Sequence, residues 1–586
     1  MCAQPRNSLI PINFSGNVDS SRTLIGGWSS TCKYISNPNS KISSFIDYHW
    51  DDRQKLRRDY SQLLALYDSL LPILAIKLNE LHRKTYTERF WEIIVGQWLL
   101  TFINVAFDRW SMIDDAIGNH SITEVLLDIN PKTMSASNST AAFHSDSISD
   151  EWNSLLLLDI ALCRNLDVRV NHVEKPAIST PNPVRELLTR PLRRFVVTLS
   201  RSLQRKNSVL ISHGYMPLKI YLKMMIHLKQ IPFFYFEEKL HSYPMQDNLR
   251  NWKLESGHEG IFENFLVHAI PKYIPRSIIE GHIEIDEKSR KLPTKPKAIV
   301  SFVEHYCGDI FKFWTAQNTE MGTQFFVVQH GGHFDAGAWD LSQDMDYRIC
   351  DRWFGWGKRK RPKPYVGAFN TKLSGSKNLK RGAMPEGDLL IELGSVPKWF
   401  YTNMSMPLSG QWDRHDAINL KMVAHLPVCI RNRTVVRLFP QNFGRLQIER
   451  WLGVLPSEQV NDGSGSIWSL RRKARLVVST YNATTYLETF AAKIPTLLFW
   501  DPTLWEIGDA ASGYYEQLKE VGILHFSEES LVTKISEVWQ DTFAWWDSIQ
   551  VKDARAQFCH EFTCISERPD KDLTDLIRLS KIEGHE

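Results

Sequence analysis

The sequence has no CxxC pair. Its eight cysteines, at positions 2, 32, 163, 307, 350, 429, 559 and 564, come no closer than Cys559 to Cys564 and lack the second pair that a structural zinc site needs. They read as reduced thiols of a cytoplasmic protein. No GxxxxGK, HExxH or GxSxG motif occurs, which removes the usual support for kinase, zinc-protease and serine-hydrolase chemistry. Self-similarity at a period of 20 to 50 residues is missing too, so a solenoid or propeller is excluded. Charge of one sign is not in excess: 70 Lys+Arg stand against 66 Asp+Glu, which excludes a basic nucleic-acid coat or an acidic tail for the chain as a whole. The opening MCAQPRNSLIPINFSGN lacks the basic start and apolar run of a secretion signal, and a cytoplasmic location is expected.

What is present is an ordinary globular composition, 586 residues at 43% hydrophobic and 23% charged, enough for two or three domains. Strand-like runs, helical runs and turn residues alternate, which predicts an α/β fold. Helical patterns fill roughly 51–112. Within them Phe90 to Phe107 is about long enough to span a bilayer. At 100° per residue, however, Gln97, Thr101, Asn104 and Asp108 share one stripe, so this segment reads as a buried core helix with a polar edge. Strands are expected at 208–214, 231–236, 298–305 and 323–332, and then in a second α/β unit at 387–394, 435–440, 476–480 and 495–500. Between the two sets, Lys358 to Arg381 holds nine Lys/Arg and no acid, and reads as an interdomain linker or exposed loop. It is either simply solvated or drawn to anionic headgroups or a charged substrate. The expected boundaries are 1–357, a 358–386 linker, 387–540 and a helical tail at 541–586.

The most informative stretch is Leu476 to Trp500, a strand, polar loop, helix and second strand. Amides at a helix start are unsatisfied and lie at the positive end of the dipole, so a phosphate or carboxylate is favoured at Asn482 to Thr485, with Thr484 in the same turn. Glu488 could accept from ribose hydroxyls. Thr485-x-x-Glu488 is equally a capping box, in which Glu488 returns to the N-cap amide. His330 ends an apolar strand before Gly331 and Gly332, with His333 and Asp335 close by in sequence. Glycines let a ligand approach the backbone, and an imidazole can act as general base or phosphate partner, although a lone His is more often structural. Arg437 ends another strand, where it could hold a carboxylate or diphosphate bidentately or merely pair at the surface. The tryptophans near these loops, Trp500 among them, suit stacking on sugars or plain packing.

Seven ordered blocks make the chain similar to a family of transferases encoded in bacterial O-antigen and other surface-polysaccharide gene clusters. They are RTLIGGWSS (22–30), RFWEIIVGQWLLTFINVAFDRW (89–110), VVQHGGHFDAG (327–337), CDRWFGWG (350–357), VVRLFPQNFG (435–444), ATTYLETFAAKIPTLLFW (483–500) and VGILH (521–525). The chain departs from the family pattern at His333-Phe334-Asp335, where further glycines are expected, and near Gly357, where a second tryptophan is. The resemblance implies two Rossmann-like domains facing a cleft, the arrangement called GT-B, with added N-terminal helices and the helical tail. It implies a glycosyltransferase that uses a nucleotide-sugar donor, for instance a CMP-linked ulosonic acid whose carboxylate Arg437 would meet, on a lipid-linked or oligosaccharide acceptor for lipopolysaccharide or other surface polysaccharide.

In that arrangement the C-terminal domain holds the donor, through Arg437, Asn482, Thr484, Thr485 and Glu488. The N-terminal side supplies the acceptor and a base, His330 first and Asp335 second, with Gly331, Gly332, His333 and Trp500 lining the cleft. No DxD-like pair stands at a strand end, so no metal site and no obligatory cofactor is expected. Peripheral contact with anionic membrane is expected through 358–381, and no nucleic-acid partner. Two alternatives remain: a CDP-alditol phosphotransferase of the teichoic-acid type, and a non-catalytic membrane-surface scaffold.

Overall fold

The computed structural model describes residues 7–11, 14–15, 22–25, 28, 42–174, 199–212, 214–255, 257, 259–379, 384–443 and 445–580. Backbone contacts divide the chain into two compact units. The first comprises 1–212, 231–325 and 398–403, the second 213–230, 326–397 and 404–586. The α/β fold with parallel sheets is as the alternation predicts.

In the first unit, strands β1 (Asn7–Ile10), β2 (Arg22–Ile25), β3 (Ile42–Phe45), β4 (Glu124–Ile129) and β5 (Asp167–His172) form a parallel sheet in the order β3-β2-β1-β4-β5. Strands β6 (Val209–Ile211) and β7 (Ala298–Ser301) pair in parallel in the same unit. Helix α3 (Asp150–Cys163) packs on β4 and β5, α2 (Gln97–His120) packs on α3, and α1 (Arg53–His82) packs on α2. Asp52 caps α1 by accepting from the amides of Gln54 and Lys55.

Two helical stretches, Arg53–His82 and Glu88–His120, are long and apolar enough to cross a membrane, and the second is buried over 89% of its most apolar window. Its polar stripe is inside the protein, as expected. Asp108 is fully buried and accepts from Trp28 Nε1 at 2.7 Å, His49 Nε2 at 3.1 Å, Arg109 Nη1 at 2.8 Å and the Tyr48 hydroxyl. Asn104 accepts from Asn403 Nδ2 at 3.1 Å. A carboxylate this deep is tolerated because hydrogen bonds and a guanidinium replace its water. Asp108 thereby ties Trp28, after β2, and Tyr48 and His49, after β3, to α2.

After 213–230 the second unit resumes within β8 (Gln324–Val328), whose residues Phe326 to Val328 pair in parallel with β9 (Arg352–Gly355), and β9 pairs with β10 (Tyr365–Gly367). Its main sheet contains β11 (Asp388–Glu392), β12 (Thr434–Arg437), β13 (Val460–Asn461), β14 (Ala474–Ser479), β15 (Thr496–Phe499) and β16 (Leu524–His525). All pairs are parallel, in the order β13-β12-β11-β14-β15-β16. Both faces are covered, so the strands read as continuous apolar runs. Leu389, Ile391, Leu476, Val478, Leu497 and Phe499 face one core, while Leu390 and Val477 face Ala492 and Ile494 on the other side.

Where the expectation differs from the structure, the reason is local. Residues 231–236 form no strand, although Phe233 is buried as a strand residue would be. Pro232 cannot donate to a ladder. The strands β1 to β5 are interrupted by polar residues, as in NSLI, ISSF and DVRVNH, so no unbroken apolar run marks them.

Candidate functional site

In an open parallel sheet, ligands bind outside the carboxyl ends of the strands where the strand order reverses. In the second unit that point lies between β11 and β14. The register sets Glu392, the last residue of β11, level with Arg437 of β12 and Ser479 of β14. Thr480 then closes the pair, its amide and hydroxyl both donating to the Glu392 carbonyl at 3.2 and 3.0 Å. Beyond the strand ends lie Gly394 and Ser395 on one side and Tyr481 and Asn482 on the other. A Cβ at Gly394 would come within 3.1–3.3 Å of Trp412 and Tyr481, so a side chain there would crowd both aromatic walls.

Two buried polar groups at this point have no hydrogen-bond partner among the described residues: Ser395 Oγ and Asn482 Nδ2. Asn482 is held by its other end, since Oδ1 accepts from the hydroxyls of Tyr486 and Tyr515, each at 2.9 Å. Buried donors left unmatched are costly and seek a ligand or water.

Helix α7 (Thr484–Ala491) starts immediately after Asn482. Its N-cap, Ala483, supplies no side-chain acceptor, so first-turn amides remain for an anion. Thr484 Oγ1 accepts from the Gly332 amide at 2.9 Å. The QHGG turn after β8 is thus docked on the start of α7. Only glycine fits at 332, because a Cβ would meet Thr484 Cα and Leu487 Cδ1 at 2.7 Å. Gln329 braces the turn by donating to the Gly331 carbonyl at 2.7 Å and accepting from the Trp356 amide at 2.7 Å. His330 is half-buried, its ring 5.8 Å from Tyr215 and 5.1 Å from Phe334. The sequence reading put His330 on the N-terminal side of a cleft; by backbone contacts it belongs to the second unit, beside Thr484.

Glu488 is neither a cap nor free. It is buried, accepts from Arg471 Nη1 at 2.7 Å and pairs with Lys372 Nζ at 2.6 Å. The same guanidinium binds Glu392 bidentately, Nε at 2.7 Å and Nη2 at 2.9 Å, and also donates to the Thr485 carbonyl at 3.1 Å. Burial works against the Arg471 charge, but Glu392 and Glu488 outweigh it and hold the group above its ordinary pKa. The capping box, one of the two readings of Thr485-x-x-Glu488, is absent: Thr485 Oγ1 lies 3.1 Å from Ser479 Oγ. A buried arginine recruits Glu488 more strongly than a single amide could.

Asp335 stands in the left-handed region at φ 65° and is almost wholly buried. Arg359 and Arg361 reach its two carboxylate oxygens at 3.1 and 2.9 Å, and Gln343 Nε2 donates at 2.7 Å. With both oxygens engaged, Asp335 serves as the anchor of the 358–361 segment and has no oxygen left for a substrate proton. His333 is likewise committed, Nδ1 to Asp340 at 3.0 Å and Nε2 toward the Ser405 carbonyl at 3.3 Å. Arg437 donates to the carbonyls of Gly463 and Gly465 at 2.6 and 3.2 Å, stapling the loop after β13. Trp500 is buried beside Tyr486 and Tyr515 at 6.1 and 6.2 Å, with no acceptor for its Nε1 among the described residues. Of the expected residues, the structure brings together His330, Gly331, Gly332, Asn482, Thr484, Thr485 and Glu488; it occupies Asp335 and His333 elsewhere, and engages Arg437 through Nη2, with no partner for its Nε among the described residues.

Four residues were not singled out from the sequence: Ser395, Gln329, Arg471 and Glu392. Glu392 closes GDLLIELG, and an acid ending a buried strand was the available signal. His415 was missed as well. It lies between Trp412 at 4.7 Å and Trp505 at 6.2 Å, and burial pulls its pKa down to about 4. No group of three or more His, Cys, Asp or Glu among the described residues is placed to hold a metal ion. In the basic stretch, Arg359, Arg361 and Lys372 are spent on internal acids, while Lys358, Lys360 and Lys363 are exposed.

A parallel sheet with a reversal point, a helix start beside it and orphaned donors at the strand ends define an α/β protein with a crevice at its strand carboxyl ends. Residues 15–577 match the family described as LIC12162 family transferase, and the chain belongs to that family. No curated protein matches the sequence. Among solved structures, similarity extends to MnaA of S. aureus with UDP, at 11% identity over 64% of this chain and 96% of that one, TM-score 0.36. It extends also to HepE of Anabaena in complex with UDP and glucose, at 10% identity over 64% and 99%, TM-score 0.36. A variant O-GlcNAc transferase of Thermobaculum terrenum is similar at 10% identity over 84% and 90%, TM-score 0.31.

Proposed function

We propose that this transferase is a glycosyltransferase of the GT-B kind, and that its nucleotide-sugar donor occupies the β11–β14 reversal point of the second unit. The observation that carries the reading is the pair of unpartnered buried groups, Ser395 Oγ and Asn482 Nδ2, one at each of the two strands that part there, beside the open amides of α7. The transferase family supplies the reaction class, and the resemblance of the seven sequence blocks to surface-polysaccharide transferases favours a glycosyl group and a saccharide acceptor.

As the glycosidic bond breaks, negative charge gathers on the leaving phosphate. The first-turn amides of α7 point to where that charge develops and need no reorganisation to meet it. Arg471 lies one layer beneath. By binding Glu392, Glu488 and the Thr485 carbonyl at once, it fixes the helix start relative to β11. The acceptor hydroxyl has a pKa far above neutrality and needs a base in the transition state. His330, half-buried on a turn docked against α7, takes that proton.

The reading is tested by a thermal-shift panel of CMP, CDP, UDP, GDP, dTDP and ADP on the purified chain. A ligand at 100 times its Kd adds about 2.7 kcal/mol, a rise of several degrees. One selective stabiliser supports the donor site and names its base. Identical curves for all six would remove the donor site.

A further inference from the structure

We infer that the second unit carries a membrane-docking face on helix α4 (Leu218–Leu228), and that its occupant is an anionic lipid bilayer surface. The inference stands apart from the donor reading and uses none of its residues.

Helix α4 is apolar on two sides for two different reasons. Ile220, Tyr221, Met224 and Met225 are buried. That inner side is held against the C-terminal helix α10 (Pro569–Leu579), where His227 Nε2 lies 2.8 Å from Asp570 and Arg578 donates to the His227 carbonyl at 2.7 Å. Gly375 is pressed onto the same side, since a Cβ there would come within 2.8 Å of Ile220. The outer side repeats the apolar pattern one step round: Leu218, Leu222 and Ile226, four residues apart, are 50%, 40% and 73% exposed. At 100° per residue these three fall within about 80° of arc, and Lys219 and Lys223 follow directly beside them.

A core-packing role cannot account for the outer row, because the core contacts of the helix are made by the inner one. Isolated exposed leucines need no explanation, but an aligned row on a helix flanked by cations is the pattern of an element lying in a headgroup layer. The apolar row enters the acyl boundary while Lys219, Lys223 and Lys229, all exposed, remain at phosphate level. Charge decides between occupants. Between 213 and 230, the part of the second unit that carries the helix, the sequence contains no Asp or Glu, and the neighbouring Asp570 is paired with His227. A second copy of the chain packing face to face across a two-fold axis would set these lysines against themselves. An anionic bilayer complements them.

The test is co-flotation of the full chain with vesicles of mixed phosphatidylglycerol and phosphatidylcholine, against phosphatidylcholine alone. The face predicts binding to the anionic vesicles only, falling as salt is raised. Leu222→Glu with Ile226→Glu should abolish it with little change in melting temperature, because Ile226 is largely in water and Leu222 partly so. Lys219→Gln with Lys223→Gln should weaken partitioning about tenfold or more. Leu452→Glu, at an exposed leucine elsewhere in the unit, should leave it unchanged. Failure of the wild-type chain to float, or full binding by the Leu222→Glu/Ile226→Glu variant, would overturn the inference. So would a solution dimer that this variant dissociates, because the occupant would then be a second copy.

Discussion

Replacing Arg471 by methionine tests the physical basis of the site most severely. The guanidinium is fully buried and makes four close contacts: two to Glu392, one to Glu488 and one to the Thr485 carbonyl. Methionine keeps an unbranched apolar stem reaching about as far as Nε and removes every one. Glu392, 1% exposed, would be left without its cation, while Glu488 would retain Lys372. Breaking one partner of a buried ion pair costs about 3–5 kcal/mol, chiefly because the charge left behind has neither water nor counter-ion. For a unit of this size that corresponds to a fall of about 10 °C in Tm. Differential scanning calorimetry at neutral pH reads the deficit. A variant melting within about 2 °C of wild type at neutral pH would show that the cluster contributes little, and the account of Arg471 as the brace of α7 would fail.

Other perturbations have definite expected outcomes. Gly332→Ala drives a methyl into Thr484 and Leu487 and should cost about 1–3 kcal/mol by overpacking, read as a lowered Tm together with weaker nucleotide binding. His330→Ala should leave the Tm and donor affinity near wild type while turnover disappears; retained turnover would take the proton-acceptor role from His330. In the first unit His82 and His282 stack at 3.7 Å, and burial pulls them down to about 3 and about 4. The unfolded chain takes up these protons near pH 6.5 and the folded chain only well below it, so stability should fall as the pH drops from about 6.5 toward 4. His82→Phe with His282→Phe should flatten that fall in pH-dependent melting. Asp335→Asn removes the charge that holds Arg359 and Arg361, and should lower the Tm and expose 358–361 to trypsin.

Much of the second unit was legible because its strands are buried on both faces and read as unbroken apolar runs: β11, β12, β14 and β15 lie where LLIE, VVR, LVVS and TLLF stand. Strand order was not legible, and with it went the location of the crevice, since pairing is set by contacts far apart in sequence. The start of α7 was visible through its polar loop and inner-face periodicity. The roles of Glu488 and Asp335 were not, because their partners Arg471, Arg359 and Arg361 lie 17 to 26 residues away and become neighbours only through the fold. His330 was found from its strand-end position, whereas its placement beside α7 depended on how closely Gly332 lets two backbones approach.

Crystallography of the protein soaked with whichever nucleoside diphosphate stabilises it decides whether a nucleotide-activated donor occupies the β11–β14 reversal point. A phosphate is expected over the first-turn amides of α7, with Asn482 Nδ2 and Ser395 Oγ within hydrogen-bonding distance of the ligand. Density for the nucleotide at any other place on the chain, with Ser395 and Asn482 untouched, would rule that site out.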